Sequence, residues 1–518
     1  MERVWHHSAA RRLALAAVPV MIALLSATAA VGAPTGSDGS AVVASQPPDR
    51  QNYVRTAQAG DRLVRPALPA GYALVDTVVS NTDPNLRNSD TYSDSEPSLA
   101  INGANPNGIV ITGFSSSWNT NGNAAVFRST NGGSTWTKAF SVPPPTGVTT
   151  GAGCPCDQVI DFDRSGRLLG TFLNAVSNSV DIYTGSTTTP GNAAGWHWAT
   201  NVSGVARRTD HPAANSGDQP WLRVTRDPVT ATQDNAYVGY DDFSTFQVKV
   251  SVSRGSDPPR FVSTGVVGGM GAFVNPGTRL APDHRNGTVY VVYQRATRKN
   301  ADGTVHVEYR LNRSTNAGSV WTLNGSTSGV IVATGDSKQP TPKFGSVNAL
   351  LGGVDAVAVD NTSGSVYVVY GTRDASTGND RLAIVRLVTN FAGGLDVVSN
   401  RFVTGQVKAA LPAVAVAANG TVGVLYDTFD GYNASGFPLF SARLAQSTDR
   451  ALTFSDVRLL AFASPAKDNG NARQRVLGDY QSLRSLGNTF YGTFTANGVQ
   501  FGRTTSNTDA IFVKAPAN

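Results

Sequence analysis

The chain has few of the residues that build metal centres and disulfide frameworks. Its 518 residues include 2 cysteines, 6 histidines and 3 methionines. Two thiolates supply half of a zinc site, and the histidines have no paired ligand spacing, so we predict no catalytic metal and no cofactor. A structural calcium ion stays open as an alternative. In an oxidising compartment Cys154 and Cys156 would form a local loop clip, with free or redox-active thiols as the alternative.

Charge is also sparse. Charged residues make up 15% of the chain and the formal net charge is +6. Lysines and arginines are scattered, without the cluster that nucleic-acid binding requires. We therefore expect no nucleic-acid partner.

Long apolar runs are missing beyond the N-terminus. Arg3, Arg11 and Arg12 precede an apolar stretch over residues 13–25 and then small residues, which predicts a signal peptide over residues 1–33. The alternative is a membrane anchor, but the apolar stretch is shorter than the roughly 20 residues that span a bilayer. We predict a secreted protein without membrane association after cleavage.

The remaining sequence divides into two parts. Residues 34–69 are rich in Pro, Ala and Ser, which predicts a flexible linker rather than a domain. Residues 70–518 carry an internal repeat, and the repeat favours a single domain over the two or three that the length alone allows.

Each repeat has an apolar strand, a turn with Gly, Asn or Asp, and a second strand rich in Val and Tyr. The copies are spaced 56 to 79 residues apart, at positions 97, 158, 220, 276, 355, 412 and 479. About 60 residues hold four strands and their loops, which is one propeller blade. We therefore predict an all-β fold, a seven-bladed β-propeller with four antiparallel strands per blade, or six blades if one copy is accidental. A strand from either terminus, within residues 73–79 or 510–513, would close the ring.

A second motif follows three of the repeats. Residues 129–136 and 314–321 read Ser-Thr-Asn-x-Gly-Ser-x-Trp, and residues 447–454 read Ser-Thr-Asp-Arg-Ala-Leu-Thr-Phe. These segments closely resemble the Asp box of the sialidase-like (bacterial neuraminidase repeat) propellers, and a degraded copy is expected at residues 505–507. The resemblance covers about residues 90–510. It implies the same fold, with the Asp boxes away from the active face.

The resemblance also implies what a site would contain. Sialidases clamp a carboxylate with three arginines and use a Tyr nucleophile with a Glu partner and an Asp acid/base. The family's Phe/Tyr-Arg-Ile-Pro motif before the first blade is replaced here by Ser93-Asp94-Ser95-Glu96-Pro97. This departure is the basis of an alternative, a propeller that binds without catalysis.

Candidate catalytic residues lie where the first strand of a repeat begins, because those strand starts converge at one end of a propeller channel. They are Glu96, Asp157, Asp218, Asp479 and Tyr480. Paired carboxylates about 5 to 10 Å apart perform glycoside hydrolysis. The structural alternative is that these carboxylates accept hydrogen bonds from neighbouring blades.

Candidate substrate-binding residues are Arg223, Arg279 and Arg484. At the fourth position of the repeat four blades have Ala or Ser, whereas the second, third and fourth have Asp161, Arg223 and Arg279. Either these three form ion pairs that fill the channel, or the arginines bind a carboxylated ligand. Trp118, Trp196, Trp198 and Trp221 are candidate sugar-stacking platforms, although the position of Trp221 favours the blade core.

These observations predict a secreted, monomeric carbohydrate-active enzyme whose partner is an extracellular, acidic glycan. A sialidase-like glycoside hydrolase is the first hypothesis and a polysaccharide lyase the second. The alternative is a non-catalytic propeller that binds an extracellular glycan or protein.

Overall fold

The computed structural model describes most of the chain from Tyr53 onward, in twelve segments. They are residues 53–80, 94–114, 118, 124–150, 155–176, 179–210, 217–271, 277–301, 305–337, 355–469, 474 and 476–518. The predicted signal peptide, part of the predicted linker and Cys154 lie outside them. The described residues contain no α-helix, only 3₁₀ turns at Ala59–Asp61, Ala193–Gly195 and Gly498–Phe501. No helix suited to crossing a membrane is found in this part of the chain.

Twenty-eight strands form seven antiparallel sheets of four strands each, which confirms the seven-bladed propeller. The innermost strands of blades 1 to 7 are β2 (Ser95–Ile101), β6 (Cys156–Phe162), β10 (Gly217–Arg226), β14 (Arg279–Asp283), β18 (Asp355–Val359), β22 (Ala409–Val416) and β26 (Ser482–Leu486). The second strands are β3 (Ile109–Phe114), β7 (Leu168–Val176), β11 (Asp234–Asp242), β15 (Thr288–Lys299), β19 (Val366–Arg373), β23 (Val422–Tyr432) and β27 (Thr489–Asn497).

The outer half of each blade completes the sheet. The third strands are β4 (Ala125–Ser129), β8 (Ser179–Thr187), β12 (Gln247–Arg254), β16 (Val305–Ser314), β20 (Asp380–Thr389), β24 (Pro438–Ser447) and β28 (Thr508–Pro516). The fourth strands are β5 (Thr137–Ser141), β9 (His197–Trp198), β13 (Ser263–Gly269), β17 (Val330–Ser337), β21 (Leu395–Phe402), β25 (Ser455–Ala463) and, for blade 7, β1 (Ala73–Asp76).

The ring closes through the N-terminal strand. β1 pairs antiparallel with β28, with Ala73 opposite Lys514 and Asp76 opposite Ile511. Of the two segments that the sequence offered for closure, residues 73–79 therefore supply the added strand, and residues 510–513 lie inside blade 7. The added strand gives blade 7 the same four strands as the other blades, and the radial arrangement leaves only short strand edges.

The innermost strands contact one another in order around a central channel. They run in one direction, so the channel has an N-terminal mouth, where the inner strands begin, and a C-terminal mouth, where they end. Side chains between neighbouring blades form the hydrophobic core. In that core Tyr237, Tyr293 and Leu280 are fully buried between blades 3 and 4.

The three Asp-box segments fold alike, in the turn between the third and fourth strands and therefore on the side of the C-terminal mouth. In blade 1 the Ser129 hydroxyl accepts from Gly133 N at 2.9 Å, and Asn131 Oδ1 accepts from Thr135 N at 3.0 Å. Trp136 is fully buried and donates through Nε1 to Gly133 O at 3.0 Å. The segment at residues 505–507 lies instead between the second and third strands of blade 7, so it does not share that position.

The second and third copies repeat these bonds. The Ser314 hydroxyl accepts from Gly318 N at 2.9 Å, and the Ser447 hydroxyl accepts from Ala451 N at 2.9 Å. Asp449 Oδ1 accepts from Thr453 N at 2.9 Å. A short Asx side chain thus satisfies backbone donors within each tight turn.

The chain before β1 lies along blades 6 and 7. Arg55 forms an ion pair with Asp61 at 2.5 Å and stacks 3.8 Å from the centre of the Phe437 ring. Ala57 N donates to Thr504 O at 2.8 Å. Cys156 at the start of β6 is disulfide-bonded, as the loop-clip prediction requires.

Candidate functional site

Several inner strands begin with a bulge. The pairing register shifts between Ser95 and Ser98, and Glu96 inside this bulge has φ 53°. Asp157 and Gln219 occupy the same position in blades 2 and 3, with φ of 46° and 51°. Left-handed backbone at a non-glycine residue costs on the order of 1–3 kcal/mol, and a bulge turns the extra side chain away from the sheet pattern. The fold therefore holds these polar side chains at the N-terminal mouth against a local cost.

A hydrogen-bond chain runs across this mouth. Asp479 N donates to Glu96 Oε1 at 3.0 Å, and Gln219 Nε2 donates to Asp479 Oδ2 at 3.0 Å. Arg279 Nη2 donates to Gln219 Oε1 at 3.2 Å. The four side chains come from blades 1, 7, 3 and 4 and are at most 3% exposed. The structure thus brings Glu96, Asp479 and Arg279 into one buried network, with Gln219 as the link.

The other two candidate carboxylates lie beside this network. Asp157 is buried, and its charge acts on Tyr480. Asp218 is half-buried, and its Oδ1 accepts from the adjacent Gln219 N at 2.9 Å. Asp218 also lies opposite Asp241 in the β10–β11 pair. All five candidate catalytic residues therefore surround one end of the channel, as their repeat positions predict.

Two aromatic rings fill the channel below the carboxylates. Trp221 and Tyr480 meet edge to face, with ring centroids 5.4 Å apart. The Arg279 guanidinium carbon lies 4.3 Å from the Trp221 centroid and 5.5 Å from the Tyr480 centroid. That of Arg223 lies 4.9 Å from the Trp221 centroid. Both arginines thus stack on aromatic faces in a site removed from water, where cation–π attraction is strongest.

Arg223 and Arg279 lack carboxylate partners within the described residues. Arg223 Nη1 donates to Leu222 O at 2.7 Å, and Arg279 Nη1 donates to Thr278 O at 2.9 Å. No ion pair at or below 4.0 Å in the described part of the chain includes either side chain. Burial, with repulsion from Arg484, lowers the pKa of Arg223 well below its usual value, against attraction from Asp161. A buried cation without an anion is unfavourable unless a ligand supplies one.

Arg484 lies apart from the other two arginines, toward the C-terminal mouth. Its guanidinium is 3.6 Å from Asp161 Oδ1 and donates to Leu99 O and Ile160 O at 3.3 and 3.5 Å. The ion-pair alternative for the fourth repeat position is therefore not realised between Asp161 and Arg223 or Arg279, since Asp161 lies nearest to Arg484. Asp161 also accepts from Val224 N at 2.9 Å, which links blades 2 and 3.

Burial shifts the titration of the groups around the upper channel. It raises the pKa of Tyr480 well above its usual value, helped by the charges of Glu96 and Asp157 and opposed by Arg279. The phenol is therefore neutral at neutral pH. Burial likewise raises the pKa of Asp355 to about 8, with Arg279 opposing, and that of Asp241 to about 7, where Thr278 and Gly277 oppose.

Unused hydrogen-bonding capacity surrounds a small cavity in mid-channel. The Tyr480 hydroxyl and Trp221 Nε1 are buried and have no hydrogen-bond partner among the described residues. The cavity measures about 30 Å³ and is lined by Trp221, Arg223, Arg279, Asp355, Tyr480 and Arg484. A space of this size holds water or a carboxylate group but not a sugar ring.

A second cavity opens at the C-terminal mouth and measures about 210 Å³. Its polar lining includes Asp161, Thr225, His284 and Arg484, and Phe162 and Leu486 contribute apolar surface. His284 Nδ1 lies 3.0 Å from Thr225 Oγ1. Arg484 lines both cavities and separates them.

The tryptophans predicted as sugar platforms have another role. Trp118, Trp196 and Trp198 pack with Phe172 in the core of blades 1 and 2 and are 5–8% exposed. Trp196 and Trp198 meet edge to face at 5.6 Å, and Trp118 donates to Asn174 Oδ1 at 3.1 Å. The platform prediction for these three is wrong because interblade packing covers their faces.

Trp221 is a channel residue that the sequence assigned to the blade core. It lies two positions before Arg223 on the same strand, so both side chains share the channel face. That spacing, together with an arginine at the equivalent position of blade 4, was a usable signal. No sequence pattern indicated that Gln219 links Asp479 to Arg279 across the N-terminal mouth. This link depends on side chains from blades that are far apart in sequence.

Comparison with known proteins gives resemblance in fold alone. No family model matches the chain, and no curated protein matches it. Among solved structures, the polysaccharide lyase Uly1 has 9% identity and a TM-score of 0.44, covering 80% of this chain and 88% of its own. The fungal lectin of Aleuria aurantia, a six-bladed propeller, has 11% identity and a TM-score of 0.35, covering 66% and 88%. An endo-arabinanase from Bacillus licheniformis has 17% identity and a TM-score of 0.33, covering 58% and 97%. Likeness at this level carries no argument about activity.

Proposed function

We propose that the chain is a secreted carbohydrate-active enzyme that cleaves a glycosidic bond beside a carboxylated sugar unit at the N-terminal mouth of the channel. The observation that carries the proposal is the convergence of unused polar capacity on one cavity. Two buried arginines without carboxylate partners and a buried phenol without a hydrogen-bond partner face it, all among described residues. Native proteins rarely leave buried polar groups unsatisfied without a ligand or a function.

In this proposal Arg223 and Arg279 bind the substrate carboxylate. A guanidinium donates two parallel hydrogen bonds to a carboxylate, which fixes the sugar unit as well as holding it. The aromatic faces of Trp221 and Tyr480 hold the arginines in place. The empty space of about 30 Å³ accommodates the carboxylate, with the sugar ring above it toward the strand starts.

Tyr480 and the carboxylates around it supply the proton chemistry. The neutral phenol either donates a proton to the leaving oxygen or passes it to Glu96 or Asp157 while attacking the anomeric carbon. Asp479 and Asp218 orient Gln219 by hydrogen bonds, and Gln219 links them to Arg279. In hydrolysis, water adds across the broken bond. In elimination, Glu96 or Asp157 accepts a ring C–H proton, the Tyr480 phenol protonates the leaving oxygen, and the product keeps a double bond.

A second candidate, binding without cleavage, is favoured by one observation. Glu96 and Asp479 are 0 and 1% exposed, and the Glu96 carboxylate accepts from the backbone N of Asp479, as expected of a carboxylate with a structural role. Under this candidate the same arginines hold an acidic glycan and no bond is broken.

The test incubates the purified mature protein with acidic and neutral polysaccharides and sialosides, and measures new reducing ends and ultraviolet absorbance. Reducing ends alone indicate hydrolysis, and both signals together indicate elimination. Tyr480→Phe should abolish either signal, whereas Tyr432→Phe, at a half-exposed tyrosine of blade 6, should leave it unchanged. Binding without products favours the second candidate. Neither binding nor products from folded protein would overturn both.

The proposal includes a monomer without a cofactor, with a structural calcium ion left open. In the described part of the chain no group of three or more His, Cys, Asp or Glu side chains is placed to hold a metal. Sizing of the secreted protein and N-terminal sequencing would test the monomer and the removal of residues 1–33.

A further inference from the structure

We infer that the C-terminal mouth is a separate binding site for a neutral saccharide unit, independent of the function proposed for the other mouth. The site is the cavity of about 210 Å³ on the Asp-box side of the propeller. It is seven times the volume of the mid-channel cavity. Its size suits one sugar ring rather than a single small group.

The polar lining of this cavity suits a ligand that both donates and accepts hydrogen bonds. Asp161 Oδ1 and Arg484 Nη2 lie 3.6 Å apart. Each Asp161 oxygen accepts one backbone N–H, from Phe162 at 3.1 Å and from Val224 at 2.9 Å, so each oxygen keeps a lone pair for a further donor. Arg484 makes only long hydrogen bonds, at 3.3 and 3.5 Å. Adjacent hydroxyls on a sugar ring would donate to the Asp161 carboxylate and accept from the Arg484 guanidinium.

The other charged groups of the lining are already paired. Arg164 binds Asp234 at 2.6 Å, and Asp163 binds Arg167 at 2.9 Å. Both pairs lie at the cavity rim, and they leave one carboxylate and one guanidinium to face the ligand. The remaining lining is therefore balanced in charge, which favours a neutral ligand over an anion or a cation.

His284 and the apolar residues complete the site. Desolvation lowers the pKa of His284 against attraction from Asp161, although the residue is exposed. The neutral imidazole then offers Nε2 to a hydroxyl, since Nδ1 lies 3.0 Å from Thr225 Oγ1. Phe162 and Leu486 supply the apolar surface against which the C–H face of a sugar packs. A few placed polar groups on an apolar wall are typical of small-ligand sites.

The test is calorimetric titration of the mature protein with methyl glycosides of glucose, galactose and mannose at millimolar concentration, and with methyl glucuronide. We expect at least one neutral glycoside to bind, with affinity reduced tenfold or more by His284→Gln and by Asp161→Asn. Asp336→Asn, at an exposed carboxylate of blade 4 away from the channel, should not change the affinity. His284 is exposed, so its variant is expected to fold even if the Asp161 variant does not.

Arg279→Gln separates the two mouths. This substitution should leave the binding of neutral glycosides unchanged and should weaken only the binding of acidic ligands. The inference is overturned if no neutral glycoside binds, if binding survives both C-terminal-mouth variants, or if only the glucuronide binds and requires Arg279.

Discussion

The two sides of the propeller treat their carboxylates in opposite ways. On the C-terminal side, turns between the first and second strands are closed by an Asx side chain that accepts from the backbone. Asp163, Asp227, Asp283 and Asp360 do so in four successive blades. In the third Asp box, bonds from Thr453 and Ser447 lower the pKa of Asp449 to about 2. These carboxylates accept hydrogen bonds from donors within their own turns.

On the N-terminal side, several buried carboxylates accept hydrogen bonds from a neighbouring blade: Asp241 of blade 3 accepts from Thr278 of blade 4, and Glu96 of blade 1 accepts from Asp479 N of blade 7. Burial raises the pKa of Asp241 to about 7 and that of Asp355 to about 8. Non-glycine residues there adopt left-handed backbone inside bulges. Local sequence thus stabilises the C-terminal side, whereas the N-terminal side combines bulges with buried groups that have no hydrogen-bond partner among the described residues, such as the Tyr480 hydroxyl, and this combination is typical of functional sites.

The largest expected effect tests the stabilising role of the Asp-box side. Trp136→Ala removes a fully buried ring that packs edge to face on Phe512 at 5.2 Å. We expect the free energy of unfolding to fall by about 3–5 kcal/mol, measured by denaturant titration. Leu452→Ala, at a half-exposed position of the third Asp box, should change it by less than about 0.5 kcal/mol. Equal effects would contradict the assignment of stability to the buried aromatic.

The next effect concerns pH and the N-terminal side. The folded-state pKa of Asp355, about 8, lies above its unfolded value, so the folded chain binds the extra proton. The stability that the folded state gains by holding this proton is fully present below about pH 4 and is lost as pH rises to 8. Asp355→Asn should therefore raise the free energy of unfolding above that of wild type, and this gain should be larger at pH 8 than at pH 5 by on the order of 3 kcal/mol. Denaturant titrations at both pH values measure it.

Asp449→Asn is the control for this pH effect, because bonds from Thr453 and Ser447 lower the pKa of Asp449 to about 2 and so keep its carboxylate ionised at both pH values. Its stability difference from wild type should therefore be the same at pH 5 and pH 8. A pH-independent effect of Asp355→Asn would mean that Asp355 is ionised in the folded chain.

The third effect is functional. Arg279→Gln should reduce cleavage or binding of an acidic glycan about 100-fold, since preorganised donors of this kind contribute two or three orders of magnitude. Stability should fall little or rise, because an unpaired buried charge is removed. Activity assays and melting temperatures report the two quantities separately. A large loss of stability with unchanged activity would make Arg279 a structural residue.

The smallest effect tests strain on the C-terminal side. Arg450 in the third Asp box has φ 63° and is exposed, whereas the first Asp box has Gly132 there with φ 68°. Arg450→Gly should stabilise the chain by roughly 1 kcal/mol, and Gly132→Ala should destabilise it by a similar amount. Melting temperatures that move in the same direction for both would contradict the strain argument.

Much of the fold was predictable because the same strand and turn pattern recurs in every blade. The strand pairs that begin near Pro97, Pro220 and Pro412 gave the blades, and Trp136 and Trp321 marked the turn between the third and fourth strands. The repeat also placed Glu96, Asp157 and Asp479 at one mouth. Local patterns sufficed for these features, since each depends on residues close in sequence.

The remaining features depend on packing between distant segments. The link from Glu96 through Asp479 and Gln219 to Arg279 joins four blades, and no spacing in the sequence encodes it. The raised pKa of Asp355 follows from burial, which composition does not report. The cavity beside His284 arises from the packing of several inner strands, so its volume could not be predicted from the sequence.

The added strand β1 has a consequence for synthesis. Thr77 and Ala510, which are 433 positions apart, are hydrogen-bonded, so the earliest-made strand finds its partner only when the last blade exists. Six blades can assemble in order while the ring stays open, and such long-range closure is slow. Without the segment before β2, blade 7 would have three strands, so the stability of the whole ring depends on a segment that lies outside the seven repeats.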